Sequence, residues 1–267
     1  PVDYRDVDVH NCLKENQSLI DHSRTLESVE YILTPRFAPI CSTEMMLGLG
    51  KLSKEHNLMI QSHISENKGE IAWMSDLYPK KSYTQVYDDH GLLNAKTLMA
   101  HAIYLDDAEL DLFKERDARI AHCPTSNYFL KSGILDARRI LQKGIKMGLG
   151  SDVSGGWTMN MVEVMRCAVL ASQSVAFHKN DNGEEYEPLT CSEAFYLATK
   201  GGAVCLDREQ EMGSFEVGCS FDAILFEDPS CKYDDIWRSL DLFEKFFFTS
   251  DRTWIKIVFV KAESVYP

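Results

Sequence analysis

The stretch Gln61-Ser62-His63-Ile64-Ser65-Glu66 decides the fold that we predict for this chain. It follows a short apolar run, Leu58-Met59-Ile60, which is typical of a buried β-strand. If that strand ends at His63, the turn after it can bring Glu66 back beside the imidazole. One strand end would then carry both a metal ligand and a proton carrier.

Four other apolar runs also end in residues that can take part in chemistry. Those end residues are Arg36, His101, His122 and Asp152. The runs alternate with segments of helical pattern, and this alternation indicates βα units and a parallel sheet. A doubly wound sheet would place its chemistry near one switch point. In a TIM barrel, by contrast, the active site lies at the carboxyl ends of all the strands. We therefore predict an α/β fold of the TIM-type (β/α)8 barrel kind.

The order of the predicted elements supports two domains. Strands are predicted at 29–34, 58–63, 97–101, 119–122 and 145–150, and helices at 42–57, 68–78, 106–115, 136–143, 160–172 and 190–202. Near residue 206 the pattern changes to turns and short strands, at 221–226 and 254–266. We predict a partial barrel over 1–205 and part of a small β-rich domain over 206–267.

Composition limits the classes of partner, and the cellular compartment, that we expect for this protein. The chain of 267 residues is 45% hydrophobic and 26% charged, which is ordinary for a globular protein. Its net charge of −13, without a basic block, argues against nucleic acid or an anionic membrane as the main partner. The eight cysteines form no Cys-x-x-Cys pair, so we interpret them as reduced thiols of a cytoplasmic protein.

The strand-end residues suit zinc chemistry. Zinc takes imidazole nitrogen and carboxylate oxygen, so His63 and Asp152 are candidate ligands, and a nearby Glu66 could carry a proton from water to a leaving group. Any one of these residues alone is more often structural, but five such strand ends in succession are improbable as packing. Arg36 could clamp a carbonyl oxygen. His122 precedes Cys-Pro, so we expect it in a structured turn that supports the site.

The remaining histidines lie in polar segments, where we expect solvated side chains. They are His10, His22, His56, His90 and His178.

The quoted motifs resemble those of the metal-dependent amidohydrolase superfamily. The similar stretches are Thr34-Pro35-Arg36-Phe37, Gln61 to Asn67, Met99-Ala100-His101, Ile120 to Pro124, and Gly148 to Val153 with Gly155-Gly156. The turn at 213–218 and the strand after it resemble the return into the superfamily's small β domain. Within the superfamily, Pro-Arg-Phe and His-Ile-Ser-Glu-Asn favour the branch that acts on guanine.

The resemblance implies roles for particular residues. It implies that His63 and Asp152 are zinc ligands, and that Glu66, His101 and Asp152 are catalytic. It further implies that Arg36, Phe37, His63 and Glu66 lie at the purine. The implied reaction is hydrolytic deamination of guanine to xanthine and ammonia, by a homodimer.

The chain departs from the superfamily in one respect. The His-x-His pair that ends the first barrel strand and completes the zinc site is not present in this sequence. We therefore expect the strands to be about the fourth to eighth of the barrel, in part of a longer protein or in a truncated product that binds zinc poorly by itself. Two alternatives stay open: a deaminase of cytosine, adenosine-like or triazine rings, and a metal-free, non-catalytic interaction protein.

Overall fold

The structure, a computed structural model, describes residues 8–228 and 238–266. It divides into two compact units. The first comprises Pro1–Ile120 with Gln142–Ile145, and the second comprises Ala121–Leu141 with Lys146–Pro267. Strand β3 (Arg119–His122) begins in the first unit and ends in the second. None of the helices in the described ranges is both long and apolar enough to cross a lipid bilayer.

The first unit is built from alternating helices and parallel strands. Its elements are α1 (Val9–Ser23), α2 (Thr43–His56), β1 (Ile60–Ile64), α3 (Lys68–Leu77), α4 (Tyr83–Asp89), β2 (Thr97–His101), α5 (Asp107–Glu115) and the start of β3. The strands lie in the order β1-β2-β3, and β1 pairs with β2 in parallel. In that register Ile60 is opposite Thr97 and His63 is opposite Ala100. The βα alternation predicted from the sequence is confirmed here.

Side-chain caps fix where these helices begin. Ser42 accepts a hydrogen bond from the Met45 N–H at the start of α2, and Asn67 does the same for Glu70 in α3. The predicted capping box of Asp106 at the start of α5 is present. Each cap satisfies an amide that the helix itself leaves without a partner.

Strand β1 alternates between buried and more exposed positions. Ile60, Ser62 and Ile64 point into the core, whereas His63 is partly exposed at the carboxyl end of the strand. The alternation of side chains along a strand explains why His63 does not share the core face. The same geometry leaves its ring at the edge where chemistry is expected.

The strand predicted at 29–34 is wrong. Of that segment only Leu33 forms a bridge, with Ile60. The Leu33 N–H donates to the Met59 carbonyl, and the Leu33 carbonyl accepts from Gln61. Val29 is exposed, and Pro35 brings no N–H for a continued ladder. The β-branched residues of this segment therefore predicted more strand pairing than the structure contains.

The second unit contains the end of β3, further helices and a second sheet. Its elements are α6 (Pro124–Phe129), all but the last residue of α7 (Ala137–Gln142), β4 (Met147–Leu149), α8 (Met161–Asp181), α9 (Cys191–Ala198), α10 (Lys200–Cys205), β5 (Ala223–Phe226), α11 (Ser239–Thr249), β6 (Ile255–Val260) and β7 (Glu263–Tyr266). Strand β3 neighbours β4, and β5-β6-β7 form an antiparallel sheet. Helix α8 extends well past the predicted end at 172, because Ala176 continues its buried face.

An apolar cluster holds this unit together. It is formed by Val162, Met165 and Val169 of α8, Ala194 of α9 and Phe247 of α11. The predicted capping box at Thr190 is present and starts α9. The predicted single strand over 254–266 is a hairpin instead, since Lys261 and Ala262 between β6 and β7 have positive φ angles. The predicted domain boundary near 206 stays a prediction.

Candidate active site

Three of the predicted site residues lie together at the ends of β1 and β2. The rings of His63 and His101 are stacked, with centroids 5.3 Å apart and an interplanar angle of 25°. The Nε2 atom of His101 is 4.0 Å from Oε2 of Glu66. The His101 side chain is 1% exposed and that of Glu66 is 20% exposed. A carboxylate that is accessible to a ligand therefore lies beside a buried imidazole.

The backbone around this cluster adopts conformations that side-chain-bearing residues rarely take. The φ angles are 48° at Ser65, 71° at His101 and 53° at Ala102. The Ala102 N–H donates to the Ile64 carbonyl, and the Ile103 N–H donates to the Ser65 carbonyl, at 2.9 and 3.1 Å. Such strain persists only where surrounding contacts impose it, and it is common at functional sites.

The tautomer of His63 follows from its hydrogen bond to the chain of Arg36. Nδ1 of His63 lies 2.6 Å from the Arg36 carbonyl oxygen. Because a carbonyl oxygen only accepts, Nδ1 must carry the proton, and the lone pair of the neutral ring is on Nε2. A histidine held in this way is suited to bind a metal through Nε2.

Phe37, which follows Arg36 in the chain, is the second residue expected at the substrate. The Arg36 side chain is exposed, and Phe37 is partly exposed just before a short 3-10 helix, Ala38–Ile40. The ring of Trp73 in α3 meets that of Phe37 edge to face, with centroids 6.0 Å apart. An aromatic side chain beside an exposed guanidinium can receive a planar, polar ring.

A carboxylate outside the predicted set of site residues supports Glu66. Oε2 of Glu70 accepts a hydrogen bond of 3.1 Å from the backbone N–H of Glu66. Glu70 is buried, and this burial raises the pKa of its carboxyl, against the opposing effects of Tyr83 and the Glu66 amide. The sequence contains a signal for this role, because Glu70 is an acidic residue one helical turn after Glu66 and three positions after the cap Asn67.

In the second unit, Asp152 follows β4 in a tight glycine-containing turn. Its φ angle is 45°, and its carbonyl accepts a 2.6 Å hydrogen bond from the Gly156 N–H. A Cβ added at Gly155 would lie 2.8 Å from Oδ2 of Asp152, and one at Gly156 would lie 2.1 Å from the Ser151 carbonyl oxygen. Only glycine fits this turn.

His122 is fully buried at the end of β3. Its carbonyl accepts a 2.9 Å hydrogen bond from the Gly150 N–H, and Pro124 starts the short helix that follows. The structured turn expected after His122 is therefore present, and its supporting role stays a prediction.

The expectation for His90 is wrong. Its side chain is buried, and Nδ1 donates to the Val86 carbonyl at 2.6 Å. His10, His22 and His178 are exposed as expected, and His56 is partly exposed.

The described residues do not form a complete metal site. Over residues 8–228 and 238–266 no group of three or more His, Cys, Asp or Glu side chains is arranged to hold an ion. The chemistry of the donors nevertheless suits zinc, because Nε2 of His63 is the unprotonated nitrogen and Asp152 offers carboxylate oxygen. The roles assigned to these two residues stay predictions.

The comparisons with known proteins fit the βα architecture. The sequence model of the Amidohydrolase family matches residues 9–265. A guanine deaminase from Dictyostelium discoideum is 43% identical over 243 residues, which is 89% of this chain and 53% of that protein. The human guanine deaminase is 40% identical, over 96% of this chain and 58% of its own length. The chain thus spans little more than half the length of these relatives.

Solved structures show the same likeness. A guanine deaminase from C. acetobutylicum, crystallised with guanine in its active site, superimposes with a TM-score of 0.90 at 36% identity. That match covers 99% of this chain and 62% of the other. An adenosine deaminase from Xanthomonas campestris with bound zinc reaches a TM-score of 0.83 at 21% identity, covering 94% of this chain and 55% of the other.

Proposed function

The chain belongs to the Amidohydrolase family, and on that premise we propose that the whole protein hydrolyses guanine to xanthine and ammonia in purine catabolism or salvage. The observation that carries the proposal is the Glu66–His101–His63 cluster at the strand ends, in a chain 40–43% identical to guanine deaminases. The reaction adds one water. Its oxygen bonds to the carbon bearing the exocyclic amine, the carbon–nitrogen bond breaks, and the amine leaves as ammonia.

Glu66 is the residue that we propose moves the proton. Its carboxylate is partly exposed, and its backbone is fixed by Glu70. In this role it protonates the purine ring and then the leaving amine, both within one site. The contribution expected from such a group is about 10²- to 10⁴-fold in rate.

His101 and Asp152 assist that transfer in our proposal. His101, buried and adjacent to Glu66, polarises the attacked centre through Nε2. Asp152 receives the proton that the attacking water gives up. Over the whole reaction the water oxygen becomes the new carbonyl oxygen of xanthine, one proton of the water stays on the purine ring, and the other leaves on ammonia with the two hydrogens that the amine already carried.

Arg36 and Phe37 are proposed to hold the purine, together with His63 and Glu66. The exposed guanidinium of Arg36 can donate two hydrogen bonds to the carbonyl oxygen and ring nitrogen of guanine. The Phe37 ring, braced by Trp73, can lie against the face or edge of the base.

Zinc is the metal that we propose, with His63 and Asp152 as the ligands from this chain. When bound, zinc supplies Lewis acidity that activates the attacking water. Two ligands do not complete a tetrahedral site. The proposal therefore includes a longer protein that supplies the other ligands. In it, residues 1–205 of this chain form about the fourth to eighth strands of the barrel, and the rest of the chain forms part of the small domain. A cytoplasmic homodimer belongs to the proposal through the family resemblance alone.

The test is ammonia release by the full-length protein from a panel of amino-substituted rings. Guanine, cytosine, adenosine and a triazine would be supplied at equal concentrations, with kcat/KM measured for each. We expect guanine to be preferred, because Arg36 matches its carbonyl oxygen. A preference for another ring would replace guanine as the substrate. No release from any of them, by protein that also holds no zinc, would favour the metal-free, non-catalytic alternative.

A further inference from the structure

One buried hydroxyl joins the segment expected to bind the purine to the strand that carries His63. Tyr87 of α4 is 0% exposed. Its hydroxyl accepts a 3.0 Å hydrogen bond from the Ala38 N–H and donates a 2.8 Å hydrogen bond to the His63 carbonyl. The residue before Ala38 is Phe37, so the two bonds link both parts of the site through a single oxygen atom.

Ser62 adds a second connection between the same two segments. Its Oγ lies 2.8 Å from the Tyr87 hydroxyl oxygen, and it donates to the Pro35 carbonyl at 2.7 Å. Both side chains are buried. Pro35 and Ala38 lie on either side of Arg36 and Phe37, and each is anchored to β1. The Pro35 anchor is its hydrogen bond from Ser62, and the Ala38 anchor runs through the Tyr87 hydroxyl to His63.

The position of the Tyr87 ring is itself fixed. It is stacked on the ring of Tyr83, one helical turn earlier, with centroids 5.4 Å apart and planes 10° from parallel. Because the His63 carbonyl can only accept, the Tyr87 hydroxyl is the donor in that hydrogen bond. If the ring were only filling the core, a phenylalanine would do so without a polar atom to satisfy. The hydroxyl has three polar neighbours, each on a segment that carries a predicted site residue.

We propose that Tyr87 is a positioning residue that holds Arg36 and Phe37 at a fixed distance from His63. This inference rests on the proposed function, because it assumes that Arg36 and Phe37 bind the purine. Tyr87 itself touches no substrate. Its effect is on how well the purine is bound before the chemical steps begin.

The test is Tyr87→Phe, which removes the hydroxyl and keeps the ring. In the full-length protein we expect KM for guanine to rise roughly tenfold, because a buried donor and a buried acceptor lose their partner. We expect kcat to change by less than about threefold, because Glu66 and His101 keep their contacts. Tyr31→Phe is the matched control, since the Tyr31 hydroxyl in the same unit donates to Asn16. It should leave KM and kcat unchanged.

Amide hydrogen exchange at Ala38 provides a readout that does not need turnover. We expect exchange of that amide to speed up in Tyr87→Phe and not in Tyr31→Phe. If Tyr87→Phe does not fold, Ser62→Ala breaks the second anchor and should raise KM in the same direction by a smaller factor.

Two results would overturn the inference. The first is unchanged exchange at Ala38 in folded Tyr87→Phe. The second is faster exchange with KM and kcat both unaltered, which would make the contact structural only. If the unsubstituted protein released no xanthine from guanine, the proposed function would fall instead, and the exchange data would still decide whether Tyr87 holds the two segments together.

Discussion

The imidazole of His63 is stacked on that of His101, with ring centroids 5.3 Å apart. The two residues lie near the carboxyl ends of neighbouring parallel strands, in a register that places His63 opposite Ala100 and Ile64 opposite His101. The strand ladder, and not a loop, therefore sets the distance between the two rings. Sites built on regular elements hold their geometry better than sites built on loops.

His101 is therefore expected to tolerate little change. In the full-length protein, His101→Asn should lower kcat for guanine roughly a hundredfold, because a preorganised polar group beside Glu66 is lost. Steady-state kinetics would measure this, with His10→Asn at an exposed position as the control. A kcat equal to that of the control would remove His101 from the catalytic group.

Glu70 should make stability depend on pH in a defined direction. Its carboxyl pKa is raised from the ordinary 4.5, chiefly by burial. A raised pKa favours the protonated form in the folded state, so the contribution of this group to stability is complete below pH 4.5 and is lost as the pH rises through the raised pKa. Glu70→Gln cannot ionise and keeps an acceptor for the Glu66 N–H.

The free energy of unfolding of Glu70→Gln should thus increase relative to that of the unsubstituted chain as the pH rises above 4.5. Urea unfolding at several pH values would measure the difference. Glu27→Gln, which removes the same charge at an exposed position, is the control. A difference that moves the opposite way with pH would contradict the assigned effect of burial.

Gly156 should be irreplaceable in the turn that carries Asp152. The Cβ of an alanine there would lie 2.1 Å from the Ser151 carbonyl oxygen and 2.7 Å from Oγ1 of Thr125. Because one of these atoms is backbone, the turn itself must move, and we expect Gly156→Ala to lower the free energy of unfolding by about 1–3 kcal/mol. Denaturant unfolding provides the measurement.

Gly202→Ala is the matched control for that change. Its Cβ would have its nearest contact at 3.7 Å, with the Leu197 carbonyl oxygen, inside a helix. Since alanine favours helix over glycine, this variant should be neutral or slightly more stable. Equal stability of the two variants would show that the turn at Gly156 is not tightly packed.

The number of zinc ions bound per chain should be lower in this chain than in the full-length protein. The 267 residues lack a His-x-His pair, and His63 and Asp152 are the two ligands that we propose in them. We expect less than one zinc ion per chain to remain after exhaustive dialysis, and about one in the full-length protein, because a two-ligand site binds weakly. His63→Ala in the full-length protein should lower the zinc content. One tightly held zinc ion per 267-residue chain would contradict this account.

Features with a local cause were predictable from the sequence. The capping boxes at Asp106 and Thr190 are present, because a cap requires only residues three positions apart. The strands that end at His101 and His122 were also predicted correctly, since short apolar runs between helices are distinctive. A similar signal, Ser82 followed by Gln85, was overlooked, and with it helix α4.

Features that depend on distant contacts were not predictable. Nothing near Tyr87 in the sequence shows that its hydroxyl meets Ala38 and His63, which are 49 and 24 positions away. His90 stands in a polar segment, yet its side chain is buried, and its backbone carbonyl lies close to Gly50 of α2. The role of Asp152 as a zinc ligand and the role of His122 in supporting the site stay predictions.

The central claim is tested most directly by xanthine formation from guanine in the full-length protein, compared with its Glu66→Gln variant. Glutamine keeps the size of the side chain and removes its ability to carry a proton. We predict steady xanthine production by the unsubstituted protein and a loss of roughly a hundredfold or more in kcat for the variant, at unchanged zinc content. Equal turnover by both proteins would contradict the role of Glu66, and no turnover by either, with zinc bound, would contradict guanine as the substrate.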